Sequence, residues 1–165
     1  MARPSTPAFI VAALLALCAP ALAQTPEPRT DIAALMKEAQ EDRAIRAALG
    51  ALDRSTDARL RDKGRYVELI LKAANAKPGM RVLDVGSGGG YLALLFSSLV
   101  GETGHVDIHN TGNWINQFPS MDPELQRARI KRANIGWITE EWNGVTGAAN
   151  SYDVIVMGQV YHDVG

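Results

Sequence analysis

Twelve residues, Arg81-Val-Leu-Asp-Val-Gly-Ser-Gly-Gly-Gly-Tyr-Leu92, constrain the fold of this chain more than any other stretch. Val82, Leu83 and Val85 surround Asp84 in a short apolar run that reads as a buried strand. Gly86, Ser87, Gly88, Gly89 and Gly90 then make a loop almost free of side chains. Leu92, Leu95, Phe96 and Leu99 follow at helical spacing. Strand, glycine loop and helix in that order open a doubly wound α/β domain. Five small residues in a row weaken a fold unless something needs the space. Such a loop lets a ligand approach the backbone and sets it at a helix N-terminus; a tight turn without ligand is the bland alternative.

The rest of the chain supplies the other units of such a domain. Asp31 is placed to cap a helix through Ile32, Leu35, Met36 and Ala39. Arg54 to Arg65 is dense in charge, with Arg54, Asp57, Arg59, Arg61, Asp62, Lys63 and Arg65. It reads as a solvated helix with local ion pairs, or as the source of an arginine that reaches a cofactor carboxylate or an anionic substrate. Val67, Ile70, Leu71 and Ala74 mark a packing helix, and Pro78-Gly79 a turn into the first strand. His105 to His109 reads as the second strand, Ile135 to Thr139 as the third and Tyr152 to Met157 as the fourth. Thr111 to Met121 is expected to be a long loop, with Trp114 and Phe118 covering the core in preference to a cofactor. Asp122-Pro123-Glu124 starts a helix to about Arg132, whose basic face is expected to be solvated.

With 47% hydrophobic and 21% charged residues and a net charge of −1, the 165 residues suit one globular domain. That balance gives no general pull toward nucleic acid or anionic membrane. The three histidines, His105, His109 and His162, form no spaced metal-ligand cluster.

Residues 1–23 read as a secretory signal peptide: Arg3 supplies the positive region, Phe9 to Ala19 the apolar run, and Ala21-Leu22-Ala23 the small-x-small cleavage site before Gln24. An uncleaved anchor is the alternative, but the run is short of the roughly 20 residues of a spanning helix. The expected compartment is the bacterial periplasm or outside the cell, with no stable membrane insertion after cleavage. Cys18 is the only cysteine and falls in the removed segment. The expected organisation is residues 1–23 signal peptide, 24–53 linker and helix, and 54–165 a partial catalytic domain.

The glycine spacing separates two ligand classes. A dinucleotide fingerprint is G-x-G-x-x-G with an acid about 20 residues on. Gly86-x-Gly88-x-Gly90, with Asp84 two residues before, has another spacing. D-x-G-x-G-x-G after an apolar strand resembles motif I of the class I S-adenosylmethionine-dependent methyltransferases. Together with Tyr152-Asp-Val-Ile-Val156 and Tyr161-His-Asp163, it resembles a bacterial group of exported predicted methyltransferases within that class, over roughly residues 54 to 165.

The resemblance implies a Rossmann-like sheet ordered 3-2-1-4-5-7-6 with helices on both faces and additional N-terminal helices. It implies S-adenosylmethionine bound by Asp84, Gly86, Ser87, Gly88 and Gly90, with Asn110 at the ribose where the family usually has an acid, and Glu141, in preference to Glu140, near the adenine amino group. Ligands in open α/β sheets bind outside the carboxyl ends of strands at the switch in order. The glycine loop and Tyr161 to Asp163 would then face one cleft. His162 would be the general base, Asp163 would orient it or bind the acceptor, and Tyr161 would pack against the sulfonium or the substrate. The acceptor is expected to be a small molecule. Only four strands are read, so the last three are expected to be missing and the chain incomplete, with its activity in doubt. A non-catalytic binding protein on the same fold and a nucleotide-binding oxidoreductase-like domain stand as alternatives.

Overall fold

The computed structural model describes residues 31–144 and 150–160. The signal peptide read over residues 1–23, and Tyr161, His162 and Asp163, lie outside the described residues. The chain opens with four helices: α1 (Ile32–Glu41), α2 (Arg43–Leu49), α3 (Thr56–Arg65) and α4 (Val67–Ala74). Asp31 caps α1, accepting the Ala34 N–H at 3.1 Å. Asp42 then breaks the helix: its backbone is extended, and its carboxylate accepts the Ala44 and Ile45 N–H groups at 2.9 and 3.2 Å to start α2.

A parallel sheet follows, built from β1 (Arg81–Val85), β2 (His105–Asn110), β3 (Ile135–Thr139) and β4 (Val154–Val156). Its order is β3-β2-β1-β4, with Val82 opposite both Val106 and Val154. Helix α5 (Tyr91–Val100) connects β1 to β2 and is buried on most sides. Val82, Val106 and Ile135 pack with Leu95, Phe96 and Val100 of α5, Val67 and Leu71 of α4, and Ala39, Ile45 and Ala48 of α1 and α2. The first two helices therefore pack into the core of the sheet. Among the described residues, this core lies on one face of the sheet.

Three stretches differ from expectation. Thr111 to Met121 is not a loop. It forms α6 (Gly112–Gln117) and a 3-10 turn, Pro119–Met121, because the Thr111 hydroxyl accepts the Trp114 N–H at 3.2 Å and starts a helix too short to show periodicity. Helix α7 (Pro123–Arg129) ends before Arg132. Arg132 is not solvated: it forks onto Asp53 at 2.7 Å and donates to the Leu94 carbonyl at 2.8 Å, tying α5 to the turn before α3. Strand β4 is shorter than Tyr152 to Met157. At its entry the Tyr152 hydroxyl donates to Asp107 at 2.9 Å, and the Asp153 carboxylate accepts the Arg81 N–H at 2.8 Å.

Candidate active site

The carboxyl end of β1 delivers Asp84 to a fully buried position beneath the glycine loop. Burial raises its pKa from the ordinary 3.8 to about 6, against the pull of the Ser87 hydroxyl and the Ala93 N–H, which bond its charged form. The Ser87 hydroxyl donates to the Asp84 carboxylate at 2.5 Å. Gly86, Gly88 and Gly90 then take φ of 63°, 61° and 83°, where an L side chain is strained. A side chain at Gly86 would also bring a Cβ within 2.8 Å of Val160 and 3.1 Å of Trp142.

Two buried amides hold the centre of this loop. The Gly88 N–H donates to Asn110 Oδ1 at 2.8 Å, and Asn110 Nδ2 donates back to the Gly88 carbonyl at 3.0 Å. Gln126 of α7, with no exposed surface, donates to the same carbonyl at 2.7 Å and accepts from Trp137 Nε1 at 2.8 Å. One residue earlier, the Ser87 N–H donates to the His109 carbonyl at 2.9 Å. The His109 ring lies under the loop, with Nε2 2.8 Å from the Glu140 carbonyl and Nδ1 3.4 Å from the Gly86 nitrogen. A carbonyl only accepts, so Nε2 carries the proton and Nδ1 receives the Gly86 N–H. Burial lowers the His109 pKa from its ordinary 6.5, consistent with that neutral ring.

Above the loop is a cleft of about 490 Å³. Gly86, Ser87 and Gly88 line its floor, Trp114 and Met121 one side, and Gly158 to Val160 another. Trp114 therefore faces the cleft instead of the core, edge-on to Trp142 with ring centroids 5.1 Å apart, while Phe118 is exposed. Tyr91, Arg61 and Arg65 close the remaining wall. The Tyr91 hydroxyl donates to Asp62 at 2.7 Å; burial first, and then that carboxylate, push the phenol far above its usual pKa. Asp62 is in turn gripped by the buried Arg54 through contacts of 3.0 and 2.5 Å. Arg61 and Arg65 lie over the Tyr91 ring, 5.5 and 5.1 Å from its centroid.

The structure thus brings Gly86, Ser87 and Gly88 to one cleft, with Asp84 beneath and Gly90 at the N-terminus of α5. Glu141 is exposed beyond β3, its carboxylate beside Gly112 in the first turn of α6, the helix that carries Trp114; it is not among the residues that line the cleft. Asn110 is buried with its amide engaged by the Gly88 peptide. Sequence reasoning missed Gln126 and His109. Gln126 sits among charges in α7 and carries no local signal; His109 was legible only as the end of a strand.

These features have counterparts in known proteins. The model of the protein-L-isoaspartate(D-aspartate) O-methyltransferase family matches residues 39–164. The chain belongs to this family. Its Rossmann-like fold is that of the class I methyltransferases, and S-adenosylmethionine is the cofactor that follows from membership. The residues present fit that group: Gly86, Gly88 and Gly89 leave the floor of the cleft bare of side chains, at the N-terminus of a buried helix.

Among relatives, the ubiquinone/menaquinone biosynthesis C-methyltransferase of Shewanella pealeana is 29% identical over 92 residues, covering 56% of this chain and 36% of the relative. That of Vibrio vulnificus is 50% identical over 49 residues, covering 28% of this chain and 19% of the relative. The chain thus spans little more than a third of these relatives at most. A SAM-dependent methyltransferase from Aquifex aeolicus superposes with a TM-score of 0.55 at 23% identity, over 79% of this chain and 60% of that one. A protein-L-isoaspartate O-methyltransferase gives 0.54 at 18% identity, over 76% and 47%. At these identities the likeness is one of fold.

Proposed function

We propose that this chain binds S-adenosylmethionine over Gly86 to Gly90 and serves methyl transfer to a small-molecule acceptor. The observation that carries the reading is the two-sided grip of Asn110 and Gln126 on the Gly88 peptide. It fixes the loop from below and leaves its bare face toward the cleft. When bound over Gly86 to Gly90, the cofactor would supply a methyl carbon already activated on a sulfonium.

The protein's part is to orient and to exclude water. Alignment of this kind supplies roughly 7–11 kcal/mol of the barrier. Trp114 and Met121 wall the cleft with apolar surface. In this reading His162 takes the acceptor proton, a step worth about 10²–10⁴-fold, with Asp163 orienting it and Tyr161 against the reacting centre. Val160, which lines the cleft directly before them, supports that placement. Glu141 serves the adenine amino group, and Asn110 serves the cofactor through the loop it holds. Export by a signal peptide over residues 1–23, cleaved before Gln24, belongs to the same reading and rests on the apolar run Phe9 to Ala19.

Calorimetric titration tests the cofactor assignment. S-adenosylmethionine should bind at micromolar concentration, reduced nicotinamide cofactor should not, and Gly88→Val should abolish binding. The valine would be strained at φ +61° and meet the Met121 methyl at 3.6 Å. Equal binding by the variant would sink the assignment.

A further inference from the structure

The cleft over the glycine loop is unbalanced in charge. Three arginines, Arg61, Arg65 and Arg129, line it, and among the described lining residues there is no carboxylate. Asp62 lies close, but its charge is spent: both oxygens face the buried guanidinium of Arg54, and one also receives the Tyr91 hydroxyl. Arg61 and Arg65 are one helical turn apart on α3, and their guanidinium carbons sit 5.5 and 5.1 Å from the same Tyr91 ring centroid. Two like charges at that spacing repel. Arg129 contributes the third charge, with one nitrogen on the Ser120 carbonyl at 3.0 Å. Neither Arg61 nor Arg65 has an ion-pair partner among the described residues.

A cleft lined by one sign of charge focuses its field on whatever enters. S-adenosylmethionine does not restore the balance, because its sulfonium and ammonium outnumber its single carboxylate. Guanidinium forks match carboxylate and phosphate oxygens two at a time.

We propose that Arg61 and Arg65, over Tyr91, form with Arg129 an anion subsite that holds a carboxylate or phosphate group of the methyl acceptor. This deepens the methyl-transfer reading and rests on it, since it takes the cleft for the reaction chamber. The acceptor is then a small anion, held at the α3 wall while its nucleophile faces the glycine loop. The rings and helices that carry the arginines are fixed independently of any ligand: Tyr91 by Asp62, and Asp62 by Arg54.

Calorimetry at low salt tests this on the full chain, with succinate and inorganic phosphate as probes, S-adenosylhomocysteine present at saturation, and Arg61→Gln/Arg65→Gln compared with the parent. At least one probe should bind the parent, and its affinity should fall at least tenfold in the double variant. The exposed Arg46→Gln on α2 should change nothing. Arg129→Gln removes the third charge from another element and should weaken the same probe, which keeps the test open if the α3 pair does not fold. No probe binding by the parent, or equal affinity in the variants, overturns the proposal.

The cofactor's own carboxylate is the competing source of the anion. If the double variant loses S-adenosylhomocysteine but keeps 5′-methylthioadenosine, which lacks the amino-acid part, the arginines serve the cofactor and the acceptor assignment falls. A folded parent that binds neither nucleoside, yet binds succinate through these arginines, removes the methyl-transfer reading and leaves an anion site.

Discussion

At the residue scale, Asp84 carries the clearest consequence. Its native pKa of about 6 stands above the 3.8 of an ordinary aspartate because burial disfavours the charge. The native state therefore holds the proton more tightly than the unfolded chain. Stability from this group is complete below pH 3.8 and is lost as pH rises through about 6. Two pKa units correspond to roughly 3 kcal/mol. Asp84→Asn keeps an acceptor for Ser87 and removes the charge. Thermal melts from pH 4 to 8 should show the variant gaining on the parent across that window, and a difference independent of pH would mean that Asp84 titrates normally in the fold. His109 acts in the opposite sense, its depressed pKa costing stability as pH falls below 6.5, so only the difference between variant and parent isolates Asp84. That Asp84 would be buried was legible from its place between Val82, Leu83 and Val85. The task of Asn110 was not. Its position at the end of β2 suggested a ribose contact, but its amide is taken by a peptide 22 residues earlier in sequence. Such a pairing depends on how far the loop rises above the sheet, which no spacing in the chain encodes.

At the scale of elements, the charged stretch before β1 shows how a local pattern divides once folded. As a sequence, Arg54 to Arg65 offered a solvated helix or an arginine for a ligand, and the fold uses its residues in different ways. Arg54 is buried and locked to Asp62, and Arg59 closes the Leu49 and Ala51 carbonyls at 3.2 and 2.6 Å. Arg61 and Arg65 face the cleft. The Arg54–Asp62–Tyr91 chain pins α3 to the first residue of α5, next to the glycine loop. Breaking a buried pair from one side leaves a charge uncompensated, at a cost of about 3–5 kcal/mol. Asp62→Ala should lose stability on that scale in urea unfolding, whereas Arg54→Met/Asp62→Leu should recover most of it. If the single variant were as stable as the parent, the pair would not be holding α3. Short elements were the hardest to read. Helix α6 spans six residues and β4 three, lengths at which neither a 3.6-residue nor a 2-residue period can be counted. By contrast, β1, the glycine loop and α5 announced themselves through apolar runs and an unusual density of glycine.

For the whole molecule, the sheet order sets a liability at one side. Among the described residues β4 pairs only with β1, so its outer backbone groups face away from the sheet. Ile155, opposite the buried Leu83, is 64% exposed, and Met157 is exposed beside it. A groove of about 410 Å³ runs along this edge, lined by Ile70, Ala73 and Leu92 as well as by β4. Unpaired edges with apolar side chains template contacts between chains. Two features work against that here and two for it. The strand is only three residues long, which limits pairing, and the chain bends at Gln159, where φ is 65°. The net charge of −1 provides little repulsion between copies, and the apolar groove adds area beyond the strand itself. Weak self-association that grows with concentration is the expected balance. Ile155→Lys places a charge on the edge without touching the core that α5 forms with Val82 and Val106. Sedimentation velocity at low and high micromolar concentration should show the parent shifting to larger species and the variant remaining a monomer, with their melting temperatures close. A variant that associates as the parent does would show that this edge is already covered, and contacts between copies would then have to be sought on another face.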